Sequence, residues 1–421
     1  MDSQKYLNVM KREIKPALGC TEPIAVALGV AKARETLGML PEKIDLQVSC
    51  NILKNAMGVG IPGTGMVGLE IASALSAVAG HSAYGLEVLS GADTADYGAA
   101  RAYADRGVIS VATKDTNKKL YIEAHVFANG HEAVCIIEDA HTQITHVQLD
   151  AQVIEHHSTG TRHAEVKADH TLSVAGIYEV VMNVDVQELM FLKDVIAMND
   201  AVAQEGLSQD YGMRVGRVLQ NGRTMEEMTL SEWVCAYTSA AADARMAGCT
   251  LPVMSTAGSG NQGITASLPV AAAARKLGKS EEEMLRAEAL SQLVTIHIKS
   301  FIGKLSPLCA CAIASSIGSS CGVVYLLGGG LEQIIFAVQN MIADISGLIC
   351  DGAKSGCALK IASSVGSAMQ CAQLAMAHVG ATGLDGIVAE NVELSIRNLA
   401  SLGIDGMESP DRVILDMMVS K

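Results

Sequence analysis

A chain of 421 residues with 31 Lys and Arg against 45 Asp and Glu carries a formal charge of −14. That balance argues against a nucleic-acid or anionic-membrane partner, because phosphate binding needs a basic surface. Apolar residues make up 49% and aromatics only 3%, with 40 glycines and 20 methionines, so the chain can bury a large core, is not disordered, and favours helices packed through small residues.

The start, MDSQKYLNVMKREIKP, is mixed in charge and lacks the apolar stretch of a secretory signal, so a cytoplasmic location is expected. Residues 2–38 predict a helix, because IAVALGVAKARETLG repeats its apolar positions at helical spacing and ends at a glycine. KIDLQVSC alternates like a strand, and NILKNAMGVGIPGTGMVG reads as a glycine-rich loop. LYIEAHVF, Asn129-Gly130, EAVCIIE and ITHVQL then predict an antiparallel meander, Asn-Gly between alternating runs being a hairpin signal.

After about residue 170 the alternation gives way to Ala/Met/Leu-rich helical stretches broken by glycine loops at 257–263 and 327–330. The fold class expected is α+β: a mixed domain over 1–175 with antiparallel strands, packed on a mainly α-helical domain over 176–421. The uncharged run LSPLCACAIASSIGSSCGVVYLLGGGL at 305–331 is long enough to cross a bilayer, which takes about 20 apolar residues. Its wealth of Ser, Gly and Cys, and its lack of flanking anchors, favour a buried core helix.

Eleven cysteines without a secretory signal do not suggest a disulfide framework. Six of them (Cys309, Cys311, Cys321, Cys350, Cys357 and Cys371) fall in one late segment. In LCACA, a helix would turn Cys309 and Cys311 to nearly opposite faces, leaving one of them to reach a shared site. Cys350 and Cys357 would lie about 10.5 Å apart along a regular helix. The glycines of ICDGAKSGC suggest instead a loop that curls both thiols to one point. Three thiolates, Cys309, Cys350 and Cys357, would leave one metal position open to substrate; a four-cysteine zinc site that includes Cys311 is the structural rival.

In ALGCTEPIAVALG, Cys20 precedes a helix start whose N-terminus would lower a thiol pKa, making it a candidate base, nucleophile or ligand. The loops NAMGVGIPGTG and STAGSGNQG offer backbone amides and the side chains of Asn55, Ser255, Thr256, Ser259 and Asn261 to a substrate carboxylate. Neither loop is a P-loop. Lys299, Lys304, Lys354 and Lys360 surround the cysteines without a context that points to a Schiff base, and His297 reads as structural.

Taken together, GCTEP, NAMGVGIPGTG, STAGSGNQG, LCACAIA and ICDGAKSGCALK resemble the L-cysteine desulfidase family, which is related to the α chain of iron–sulfur L-serine dehydratases. The resemblance runs from about residue 10 to the C-terminus and includes GIVAENVELSIRNL at 386–399. It implies a [4Fe-4S] cluster on Cys309, Cys350 and Cys357 with one open iron, no pyridoxal phosphate, and α,β-elimination of L-cysteine to pyruvate, ammonia and sulfide with Cys20 as base. Two departures mark the dehydratase relatives. They space their last two cluster cysteines more widely, so Cys20 or Cys311 could stand in for Cys357 as third ligand. They also carry Ser-Ser-Ser-His-Thr where this chain has Leu18-Gly19-Cys20-Thr21-Glu22. L-serine dehydration is the alternative reaction, and a catalytically silent zinc- or cluster-binding protein the alternative class. The partners expected are a small amino acid and, at most, a second copy of the chain as a homodimer.

Overall fold

The computed structural model describes residues 3–157, 172–303, 306–407 and 409–420. Lys304 and residues 158–171, just before the expected boundary at 175/176, lie outside the described residues. The architecture is α+β, with a mixed sheet in the N-terminal part and helices beyond it.

The helix expected over 2–38 is two helices. α1 (Ser3–Glu13) runs into the short strand β1 (Ile14–Ala17), and α2 (Thr21–Leu37) begins afresh. Pro16 cannot donate to a helix ladder, and Gly19 adopts a φ of 69°, which reverses the chain. β1 pairs antiparallel with β8 (Val253–Thr256), and Tyr6, Leu7, Val9, Met10 and Ile14 pack into the core of the C-terminal helices. The chain thus starts within the helical body and then crosses to the sheet.

That sheet has the order β3-β2-β4-β5-β6-β7, with β2 (Lys43–Val48), β3 (Ile109–Thr113), β4 (Tyr121–Ala128), β5 (His131–Glu138), β6 (Ile144–Leu149) and β7 (Gln152–His156). Only the β2–β3 pair is parallel among these. The meander follows the sequence reading, with Asn129 and Gly130 at φ of 52° and 80° in the tight turn. Ile122, Ala124 and Val126 alternate inward along β4, and α2 lies over them so closely that a Cβ on Gly29 would lie 3.6 Å from both Ile122 and Ile137. α4 (Leu69–Ala79) and α5 (Thr94–Ala104) complete this part. Part of the stretch expected to be loop is α3 (Cys50–Ala56), whose alternation of apolar and polar residues reads poorly over only seven positions.

The C-terminal part contains α6 (Val174–Asn183), α7 (Leu192–Ser208), α8 (Val215–Gln220), α9 (Leu230–Met246), α10 (Gly260–Lys276), α11 (Glu281–Ile302), α12 (Ala314–Leu326), α13 (Leu331–Ile345), α14 (Cys357–Met376), α15 (Val392–Ile404) and α16 (Pro410–Val419). Small residues set its close packing. A Cβ on Gly318 would lie 2.4 Å from the Ser291 carbonyl, so the backbones of α12 and α11 approach this closely only because glycine stands there. The uncharged run at 305–331 supplies α12, which is buried; no helix among the described residues is long and apolar enough to cross a membrane.

Candidate active site

Two irregular segments of the helical part meet in a miniature ladder. The Cys309 amide donates to the Leu348 carbonyl (2.8 Å), the Cys350 amide donates to the Pro307 carbonyl (2.6 Å), and Leu308 faces Ile349 between them. Cys309 and Cys350 are thereby held on adjacent irregular segments rather than on helices. After Cys350 the chain turns at Gly352 (φ 88°) and enters α14 at Cys357, whose thiol faces the Gly352 carbonyl at 3.7 Å. ICDGAKSGC is thus a turning loop up to Cys357 and not a continuous helix.

LCACA is not helical, and this overturns the expectation that only one of its thiols could reach the shared point. Residues 310–313 form a turn, and the sulfurs of Cys309 and Cys311 lie 3.5 Å apart. The four thiols at 309, 311, 350 and 357 are near enough for the charge on one to oppose the charge on another. Cys309 takes a hydrogen bond from Cys311, which brings it down to about 7 and pushes Cys311 well up, so the pair shares a proton. Burial raises Cys350, and burial pushes Cys357 up to about 12.

Cations ring these sulfurs. Lys54 donates to the Cys350 carbonyl (3.0 Å), and Lys360 bonds Asp351 and the Ile349 carbonyl (3.0 Å). Lys299 is buried on α11, and its amine falls to about 8 because of that burial, in opposition to the pull of Cys350, Cys311, Cys309 and Glu22. A buried lysine so placed favours thiolates over thiols.

Cys20 is the N-cap of α2 and packs with Val59, Met246 and Cys357, so it adjoins the thiol group. Its thiol is raised, not lowered as its position at a helix start suggested: burial outweighs the Arg245 cation, and Glu22 adds to the rise. Arg245, on α9, was missed in the sequence. It is only 7% exposed, and its guanidinium donates to the Asn261 side-chain oxygen (3.0 Å) and to the Gly19 carbonyl (2.8 Å). It thus ties the GCTEP and SGNQG segments together beside Cys20. Gly260 allows this, since a Cβ there would lie 2.4 Å from Arg245 Nε.

The expected carboxylate contacts fare differently. Asn55 lies at the end of α3 against Gly352 and bonds Glu22, which places it at the thiol pocket. Asn261 is buried and engaged by Arg245. The hydroxyls of Ser255 and Thr256 are committed to the Lys15 carbonyl (2.6 Å) and to Gln292 (2.6 Å), where they fasten β8 to its neighbours. Ser259 precedes α10 without a side-chain cap bond. His297, buried on α11, pairs with Glu393 at 2.7 Å.

The donor set fits an iron–sulfur cluster. It offers several thiolates from separate segments, hosted by buried cations that offset their charge. No group of three or more His, Cys, Asp or Glu among the described residues is arranged to hold a single metal ion.

Comparison with known proteins places this geometry in context. The serine dehydratase alpha chain family model matches residues 83–416, a span that contains the four thiols, Arg245 and Lys299 but not Cys20, Glu22 or Asn55. Over its full length the chain is similar to proteins named only UPF0597. One from Phocaeicola vulgatus is 46% identical, covering 100% of this chain and 98% of the relative. Others from Clostridium perfringens and Oleidesulfovibrio alaskensis are 44% and 42% identical, each covering 99% of this chain and 98% of the relative.

Proposed function

The chain belongs to the serine dehydratase alpha chain family, and from that premise we propose that it is an iron–sulfur lyase that removes the β-substituent of a small L-amino acid, L-cysteine in preference to L-serine. The observation that carries the proposal is the convergence of Cys309, Cys350 and Cys357 beside Cys20 and Lys299. Cys309, Cys350 and Cys357 would hold the cluster, with Cys311 beside Cys309. When bound by three thiolates, a [4Fe-4S] cluster supplies one uncoordinated iron, a Lewis acid for the departing β-thiol or hydroxyl.

The protein's own groups do the rest. Cys20 is the candidate base for the Cα proton; the Arg245 cation favours its thiolate and holds its loop. The buried Lys299 favours thiolates at 309, 311 and 350. Burial of the sulfurs excludes water, which strengthens each of these interactions. Loss of the α-proton and the β-group leaves aminoacrylate, which hydrolyses to pyruvate and ammonia. Cys20 stands where the dehydratase relatives carry a hydroxyl-rich stretch, and iron is thiophilic; both support cysteine as substrate.

Serine dehydration is the second reading, favoured by the family itself. Anaerobic purification followed by assay of pyruvate from both amino acids decides between them. A brown protein with acid-labile sulfide that turns over cysteine faster than serine is the expected result. Faster turnover of serine moves the assignment to a carbon–oxygen lyase, and a colourless zinc-loaded protein without turnover sinks both.

A further inference from the structure

Next to the thiols lies a pair of hydrogen-bond acceptors that the elimination chemistry does not use. Asn55, 9% exposed, donates its Nδ2 to Glu22 Oε1 at 3.1 Å. A carboxylate only accepts, so this bond fixes the amide with its nitrogen towards Glu22. The amide oxygen, Oδ1, is consequently left buried with no partner among the described residues. An unpaired buried acceptor is costly in a resting protein and marks a place where a donor belongs.

Glu22 itself has spare capacity. Its Oε1 takes the Asn55 bond and its Oε2 takes one from Thr21 at 3.2 Å, whereas a carboxylate offers about four lone-pair sites. Both residues border the cluster pocket. Asn55 is pressed against Gly352, where a Cβ would lie 3.1 Å from Asn55 Cα, and Glu22 follows Cys20 by two residues. The charge of Glu22 bears on both Cys20 and Lys299, so it lies near both groups on which the chemistry depends.

A carboxylate and the unpaired oxygen of an adjoining amide are the wrong chemistry for a substrate carboxylate, the role expected of Asn55 from the sequence. They are the right chemistry for a cation with several N–H donors. We propose that Glu22 and Asn55 form the seat of the substrate's α-ammonium group, so that the pocket selects free α-amino acids over analogues that lack the amine. This rests on the reading of the thiol pocket as an amino-acid lyase site. It adds that recognition comes from the N-terminal part of the chain while the thiols come from the helical part. A desamino analogue would leave the buried Asn55 oxygen unpaired, which is how a site rejects a ligand that lacks one polar group.

Binding of L-serine and of 3-hydroxypropionate, its desamino counterpart, to the anaerobically prepared holoenzyme tests the seat by calorimetry. L-serine should bind about tenfold more tightly or better, and both Glu22→Gln and Asn55→Leu should narrow that gap while the brown colour is retained. Should Asn55→Leu fail to fold, the isosteric Glu22→Gln still decides. Equal affinity for the two ligands, no binding of either, or an unchanged gap in Glu22→Gln overturns the seat. Pyruvate release from the same preparation is read separately: its absence sinks the lyase reading, whereas the difference in binding judges the ammonium seat alone.

Discussion

Leu308 and Ile349 face each other across an isolated antiparallel bridge, and that single pairing sets Cys309 and Cys350 diagonally across it, one on each side of the bridged pair. The thiols are held by backbone hydrogen bonds, so removal of one sulfur leaves its neighbours in place. Cys350→Ala should therefore keep its fold, as read by circular dichroism, while losing colour, acid-labile sulfide and all turnover. Cys321, fully buried in α12 away from the bridge, supplies the contrast. Cys321→Ala should cost about 1 kcal/mol of stability through lost packing and retain iron. If Cys350→Ala kept its colour and activity, the ligand assignment would be wrong.

Gly352 is where the thiol loop meets α3. Its φ is 88°, and a Cβ would lie 2.0 Å from the Lys54 carbonyl, so an alanine is strained in backbone and collides with backbone. Gly352→Ala should lose on the order of 1–3 kcal/mol to strain alone and bind iron poorly, because Cys350 and Cys357 flank the displaced turn. Gly347→Ala, with open space around it, should melt like the parent and load fully. Equal iron content in the two variants would contradict the packing argument.

The parts of the site legible in the sequence were those with local signatures. Cysteine clustering marked 309, 350 and 357, and glycines announced the curl between the last two. What misled was the assumption of regular structure. LCACA looks apolar enough for a helix, yet the bridge to Ile349 makes it extended and then turned, and Cys311 joins Cys309. Cys20 sat at a helix start as read, but its ionisation is governed by burial, which depends on α9 and α14 arriving from far along the chain. Arg245 in AAADARMAG and Lys299 in TIHIKS carry no motif, and Glu22 reads as an ordinary first-turn acid. Their roles exist only in three dimensions. The fold followed the same rule: the Asn129-Gly130 hairpin is local and was readable, while the return of α1 to the C-terminal core is long-range and was not.

Arg245 joins segments that the sequence keeps far apart. Its two bonds to Gly19 and Asn261 are buried, so truncation leaves a carbonyl and an amide oxygen unpaired, at about 1–3 kcal/mol each. Arg245→Met should lower the melting temperature and depress kcat by orders of magnitude. Arg245→Lys keeps the charge but cannot fork to both acceptors. It should therefore recover part of the stability while kcat stays low. Full recovery of kcat by lysine would show that the charge alone matters and that the tie between the two loops does not.

Glu288 tests the energetics of the core beneath the site. It is fully buried on α11, accepts a bond from Gln292 (2.8 Å), and through Gln292 is linked to Thr256 at the end of β8. Burial pushes its carboxyl up to about 8 from an ordinary 4.5. Between those values the folded chain holds a proton that the unfolded chain has released. Stability contributed by this group is therefore intact below pH 4.5 and falls as the pH rises through the window, at up to about 1.4 kcal/mol per pH unit. Glu288→Gln keeps the shape and the neutral hydrogen bonding but has no proton to lose. Every other titrating group is common to both proteins, so the difference between their melting curves isolates this one. The variant should gain on the parent steadily from pH 5 to pH 8 in thermal denaturation, with the gain levelling off above pH 8. Melting temperatures that run parallel over that range would mean that Glu288 ionises normally and that water or an unrecognised cation reaches it.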